Sequence, residues 1–343
     1  LTSRGFPVPI DGGLRLTGEA PGGLLVGALT MRTRTVDSVP GSDYAVIRLR
    51  KNILSGGDVG AVFMTRQAVE ETGNYNRVYG VDSNFRFFGN LDWNSYVIRS
   101  ETPGFSSGQY SYRTSLMREG NFFHVKAGLM SLGENFRDEL GFYNRVGVRK
   151  WFLDTGLRPR PRSLQLKGLR EIHPHIVWDY FEDQAGHQVA KRLHSGNTFF
   201  FNDGGSIQPA VNVSSELLEA PFRIHRGDPP IPVGSYDWTA YQVTFRSDPS
   251  RLIAGDLDLT WGGLWTGTQR TVRASLVVQP SYRLRTSISF SRTAADLDLP
   301  DVAFVKSLWT FRAGYSFSTN MFGDALTQYD PEQRLFNANV RFN

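Results

Sequence analysis

The sequence predicts an all-β protein, a transmembrane antiparallel up-and-down β-barrel of about 18 strands, between roughly 16 and 20. Three observations predict it. Apolar and polar residues alternate with a period of two over long runs, which gives a strand one apolar and one polar face. Val272, Ala274, Leu276 and Val278 alternate with Thr271, Arg273 and Ser275; Trp309, Phe311, Ala313 and Tyr315 alternate with Thr310, Arg312 and Gly314. The runs reach the roughly 9–11 residues that a tilted strand needs to cross a bilayer, whereas globular strands are most often about 5–6 residues long. Turn signals separate the runs, and no helical pattern lies between them.

The elements follow in order. Leu14 and Leu16 alternate with Arg15, Thr17 and Glu19, and Pro21-Gly22-Gly23 is a tight turn. The return run places Leu25, Leu29 and Met31 on one face and Thr30, Arg32 and Arg34 on the other. Residues 37–43 form a polar turn. Ala45, Ile47, Leu49 and Ile53 then oppose Arg48 and Arg50, and residues 55–58 turn the chain into a run from Val59 to Val69. Strands are expected from Asn76 to Phe88 and from Leu91 to Ser100. Tyr110, Tyr112 and Leu116 then oppose Ser111, Arg113 and Ser115. After Phe123, Val125, Ala127 and Leu129, residues 133–144 are a loop. Val146, Val148 and Phe152 oppose Arg145 and Arg149, and residues 154–167 are a second loop. Ile172, Ile176, Trp178 and Tyr180 oppose His173, His175 and Asp179; residues 182–197 extend the strands into a polar region. Residues 221–234 are too rich in Pro for a central strand, because Pro cannot donate to the ladder. Further runs begin near Tyr241, Asp256, Arg270, Tyr282 and Trp309, and a last one ends at Phe342. No composition break interrupts them, so residues 1–343 form one barrel domain.

Composition sets limits on function. The chain has 343 residues and no Cys, which excludes disulfides, Cys-ligated zinc and a Cys nucleophile. Net charge is +5, with 38 Lys and Arg of which only six are Lys. No basic cluster with interleaved aromatic residues is present, so nucleic acid is not an expected partner. The longest apolar run, Leu24 to Met31, is interrupted by Gly27 and Thr30 and is too short for a membrane helix. Leu1 opens without a charged or apolar leader, and a fragment or trimmed mature form is expected.

Two stretches carry a family resemblance: Glu216 to Tyr236 (ELLEAPFRIHRGDPPIPVGSY), and Tyr315 to Phe322 (YSFSTNMF) leading through Gln328-Tyr-Asp330 to Asn339–Asn343. Together with Pro9 to Gly18 (PIDGGLRLTG), they resemble a bacterial family of unknown function. Its members look like outer-membrane barrels that follow a module similar to family 9 carbohydrate-binding modules. The resemblance spans nearly the whole chain. It implies a bacterial outer-membrane location, an N-terminal carbohydrate-binding-like or periplasmic module outside this chain, and a last aromatic-rich strand beyond it. It supplies no catalytic residues.

Candidate site residues come from strand parity. Arg48, Arg50, Arg113, Arg149, Arg246, Arg273, Arg283, Arg285, Arg312 and Arg341, with Asp256 and Asp258, take the polar parity and are expected to line a lumen. The inward acids expected are few, Glu19, Asp179, Asp256 and Asp258, so the wall should favour anions or sugar hydroxyls. Leu276, Phe290, Trp309, Phe311 and Val340 are expected to face lipid. His173-Pro-His175 sets two imidazoles on one strand face, a half-site of the kind Zn and Cu favour, short of the further ligands a zinc site needs. No metal and no cofactor are therefore assigned. No nucleophile motif of the G-x-S-x-G kind is expected, and no enzyme. The leading expectation is a passive channel or translocation pore. Its partners would be outer-membrane lipid and an oligosaccharide or another envelope protein. The alternatives are a plugged barrel that anchors or docks a partner protein, and an outer-membrane hydrolase.

Overall fold

Alternation over ten or so residues becomes strand almost everywhere. The computed structural model describes residues 8–36, 39–54, 56–224, 229–298 and 303–342. They form an antiparallel up-and-down sheet of 19 strands, with a single one-turn helix, α1 (Arg162–Gln165). Among the described residues no helix is long and apolar enough to cross a membrane. Among the described residues no strand pairing closes the sheet into a barrel.

The chain divides into two compact units. The first comprises residues 1–120, 124–153 and 179–188. Its strands are β1 (Ile10–Ala20), β2 (Leu24–Thr33), β3 (Ser42–Ile53), β4 (Gly57–Ala68), β5 (Tyr75–Phe87), β6 (Leu91–Glu101), β7 (Tyr110–Glu119) and β8 (Phe123–Leu132). Each pairs with the next. β9 (Val148–Leu157) and β10 (Leu169–Asp183) contribute residues to both units. The second unit holds β11 (Gln188–Phe201), β12 (Ser206–Leu218), β13 (Gly234–Arg246), β14 (Ile253–Leu264), β15 (Gly267–Val278), β16 (Leu284–Asp296), β17 (Ala303–Ser316), β18 (Phe322–Asp330) and β19 (Leu335–Phe342), again paired in chain order.

Register decides which residues share a face, since directly opposed residues on antiparallel strands point to the same side. In the first unit Ile47 opposes Phe63, Phe63 opposes Tyr79, Val81 opposes Val97, and Val97 opposes Tyr112. These side chains are exposed. The other face carries Arg48, Arg50, Asp58, Asp82, Asn84, Tyr96 and Arg113. Strand β2 departs from simple expectation: Leu25 opposes Arg50 and Leu29 opposes Val46, so its Leu set lies on the arginine side. Val26 and Ala28 lie with Leu49 and Ile47.

Connections in the first unit differ at the two ends. Residues 21–23 and 88–90 are three-residue turns, whereas the other end carries the longer connections 69–74, 102–109 and 133–147. Part of two expected turns, residues 37–38 and 55, lies outside the described residues. The last loop folds onto the polar face. Phe136 is fully buried there, as are Asn76, Val78, Ser100 and Ser111 on the strands. Asn76 Nδ2 donates to the Arg137 carbonyl at 3.0 Å, the Glu139 amide donates to Asn76 Oδ1 at 3.1 Å, and the Arg137 amide donates to Ser100 Oγ at 3.0 Å. Glu139 also pairs with Arg66. Burial raises the Asp138 carboxyl above its ordinary range and pushes the Tyr143 hydroxyl up to about 12.

In the second unit residues 219–233 link β12 to β13 as an irregular loop, as its Pro content requires; residues 225–228 lie outside the described residues. A single bridge joins Phe222 to Ile231, and β13 begins at Gly234. Ile231 is fully buried with Leu218 and Leu297, packed against Tyr236, Leu264 and Trp265. α1 falls within the loop expected over residues 154–167, and β9 runs on to Leu157.

The polar strand face as candidate functional site

In the first unit the polar face is an ion-paired surface. Arg48 Nη2 meets Asp82 Oδ1 at 2.7 Å, and Nη1 meets the second carboxylate oxygen, a bidentate pair. Arg48 and Asp82 stand on β3 and β5, so the side chain must pass over β4. Gly60 permits this: a Cβ there would come within 2.7 Å of Arg48 Cζ. Arg50 pairs with Asp58, which also accepts from Asn84 Nδ2 at 3.0 Å. Asn94 donates to Asn84 at 2.7 Å, and Arg86 Nε donates to Asp92 at 2.6 Å. The Arg113 guanidinium lies over the Phe152 ring, 5.3 Å from its centroid. Acids at positions 58, 82 and 92 were not among those expected inward; Asp82 and Asp58 neutralise the expected Arg48 and Arg50, and Asp92 pairs with Arg86.

Two of the expected lumen arginines are placed differently. Lys150 and Phe152 take the Arg113 side of β9, so Arg149 takes the other. There Arg149 donates to Glu182 Oε1 at 2.7 Å, shared with Trp151 Nε1 at 3.2 Å. The alternation of β9 is correct but its faces are inverted: the apolar Val148 and Phe152 lie on the polar side of the sheet, where Val148 is buried. Arg283 precedes β16 in a bend, with its Nε donating to the Tyr282 hydroxyl at 3.0 Å.

The second unit holds a side-chain hydrogen-bonded chain that crosses five strands. His175 Nε2 on β10 lies 3.1 Å from His194 Nε2 on β11. His194 Nδ1 lies 2.7 Å from Asn212 Oδ1 on β12. Asn212 Nδ2 donates to Gln242 Oε1 on β13 at 3.4 Å, and Gln242 Nε2 donates to Asp258 Oδ2 on β14 at 2.7 Å. Asp258 also accepts from Thr244 at 2.9 Å and pairs with Arg273 at 3.5 Å. Arg246 stands opposite Asp256 in the ladder, and Ser275 donates to Asp256 at 3.4 Å. Towards β19, Arg285, Arg312 and Arg341 line one concavity of about 560 Å³ with Ser287, Asp324 and Asn339. On the opposite face Leu276, Trp309, Phe311 and Val340 are exposed at 44, 43, 45 and 77%, and Phe290 is half-buried against Trp309 with centroids 4.4 Å apart.

His194, Asn212 and Gln242 were missed in the sequence because no local spacing links residues that meet only through register. Among the described residues no three His, Cys, Asp or Glu side chains converge as a metal site. The letters G-x-S-x-G do occur once, contrary to expectation, from Gly104 to Gly108. They lie in the loop between β6 and β7, where Ser106 is exposed, and not on the strand-to-helix elbow that activates such a serine. Comparison with known protein families and curated proteins gave no matching family model and no matching protein.

Proposed function

We propose that this sheet closes into an outer-membrane β-barrel that acts as a passive channel or translocation pore, with the polar face lining its lumen. The observation that carries this reading is the two-sidedness of the sheet. One face exposes a continuous set of large apolar side chains, from Tyr241 and Trp261 through Leu257, Leu276 and Ile288 to Phe311. Soluble monomers rarely leave apolar patches beyond a few hundred Å² open to water, whereas lipid makes that face favourable. The other face carries paired charges and hydrogen-bonded amides, the wall a hydrated lumen needs. The short turns at one end of the first unit and longer loops at the other are a further feature of such barrels. The resemblance described above points the same way and adds oligosaccharide as a substrate class.

Reconstitution into planar bilayers tests the proposal. Ion conductance is expected, with reversal potentials across a salt gradient favouring anions because Arg285, Arg312 and Arg341 outnumber Asp324 in their concavity. Cation selectivity would overturn the anion-leaning wall. The burial of loop 133–147 on the polar face favours the second reading, a plugged barrel that anchors or docks a partner. A silent bilayer would select it.

A further inference from the structure

We infer that His175 and His194 form a divalent transition-metal site on the polar face of the second unit. The inference rests on which ring nitrogens carry hydrogen, and it stands apart from whether the sheet conducts. Asp258 is a carboxylate and accepts only, so Gln242 must turn its Nε2 towards it. Gln242 Oε1 then points back and accepts from Asn212 Nδ2. That leaves Asn212 Oδ1 as the acceptor facing His194 Nδ1, which therefore carries the hydrogen. On the neighbouring strand His175 Nδ1 faces the His173 carbonyl at 3.1 Å; a carbonyl only accepts, so this nitrogen carries hydrogen too. In both neutral rings the remaining lone pair is on Nε2. Those two lone pairs stand 3.1 Å apart, with the Gln208 amide nitrogen 3.4 Å from the one on His194, and a metal ion or a shared proton between the rings satisfies both.

The arrangement has the features of a metal centre. Ligating histidines donate their other ring N–H to a carbonyl or a carboxylate-linked acceptor, which fixes tautomer and orientation, and both rings here do so. Two nitrogens at roughly 2.0–2.1 Å from one metal, at angles between square and tetrahedral, lie roughly 2.8–3.4 Å apart. The observed separation falls inside that interval. Gly196 keeps the space open, because a Cβ there would come within 2.8 Å of His175 Nε2 and 2.9 Å of His194 Nε2. Gln208 supplies a third donor. Its amide nitrogen lies 3.4 Å from His194 Nε2, and the Thr198 hydroxyl that holds its oxygen at 3.0 Å can donate or accept, so the amide can turn its oxygen inward. Imidazole with an amide oxygen suits Cu(II), Zn(II) or Ni(II). The sequence placed His173 beside His175; register substitutes His194 from the next strand.

The test uses the full chain in detergent, titrated with Cu(II) and followed by electron paramagnetic resonance. One tightly held ion per chain is expected, with hyperfine structure from two equivalent nitrogens. His194→Gln and Gly196→Ala should each weaken binding about 10–100-fold, and His187→Ala should leave it unchanged. Gly196→Ala keeps both imidazoles and fills only the space between them, so it reads the site even where a histidine variant disturbs folding. A wild-type chain that binds no stoichiometric ion, or Gly196→Ala and His194→Gln chains that bind as the wild type does, would overturn the site and leave a shared proton between the rings.

Discussion

At the residue scale, the polar face depends on small residues as much as on charged ones. Gly60 carries no charge, yet it opens the route by which Arg48 reaches Asp82 across β4. Gly60→Val should therefore force the guanidinium aside and cost about 0.5–1 kcal/mol, the range for a partly exposed ion pair; urea unfolding in lipid vesicles measures it. A loss no greater than that of Gly12→Val, where a Cβ meets nothing, would show that the pairing is incidental. A second residue-scale effect is electrostatic. The Ser307 hydroxyl and amide both donate to Glu332, at 2.7 and 2.8 Å, and hold its carboxyl below its ordinary value of 4.5. A depressed carboxylate contributes stability above its unfolded pKa and loses it as pH falls through the lower folded value. Acidification below about pH 4.5 should weaken the wild type more than Glu332→Gln, and matching acid limbs in the two proteins would refute this.

At the scale of elements, loop 133–147 is attached by packing as well as by backbone bonds. Phe136 is fully buried, and Phe136→Ala should cost about 3–5 kcal/mol in the unfolding free energy of its unit. Asp138 acts in the opposite sense to Glu332. Burial raises its carboxyl, so its contribution is most favourable below the ordinary value of 3.8 and is lost as pH rises through the raised folded value. Asp138→Asn should hold the loop more firmly at neutral pH, read as slower amide exchange at residues 136–141; exchange no slower than in the wild type would count against it. The loop was legible as a loop from its composition, but its docking was not. Phe136 gives no local sign of burial, and Asn76 and Ser100, which hold the backbone of the adjacent Arg137, are more than thirty residues away in sequence.

For the whole molecule, the all-β, antiparallel up-and-down class followed from alternation alone, because a period of two leaves a chain no other way to segregate its apolar side chains. Parity on each strand is a local property, and Leu276, Trp309 and Phe311 could be grouped from it. The relation between one strand's parity and its neighbour's is set by register, which turns and bulges fix. That is why β9 was assigned to the wrong sides, why the Leu set of β2 joins the arginines, and why His194 went unnoticed. The grouping makes a test at this scale. In lipid vesicles Phe311→Arg should cost about 2–4 kcal/mol if that face meets hydrocarbon near the midplane, and Thr310→Arg, on the polar face, should cost far less. Equal costs for both substitutions would remove the argument for a membrane-facing side.

The chain of amides between His194 and Asp258 has only two senses, one with every group turned towards the acid and one with every group reversed. Geometry alone does not choose, since an amide looks nearly the same either way round. The choice is a single bit of information, and Asp258 holds it three strands away from the histidine it instructs. Asp258→Asn would keep the shape of every group and erase the bit. Nitrogen NMR of His194 should then change from one tautomer to a mixture of two, with no displacement of the strands between.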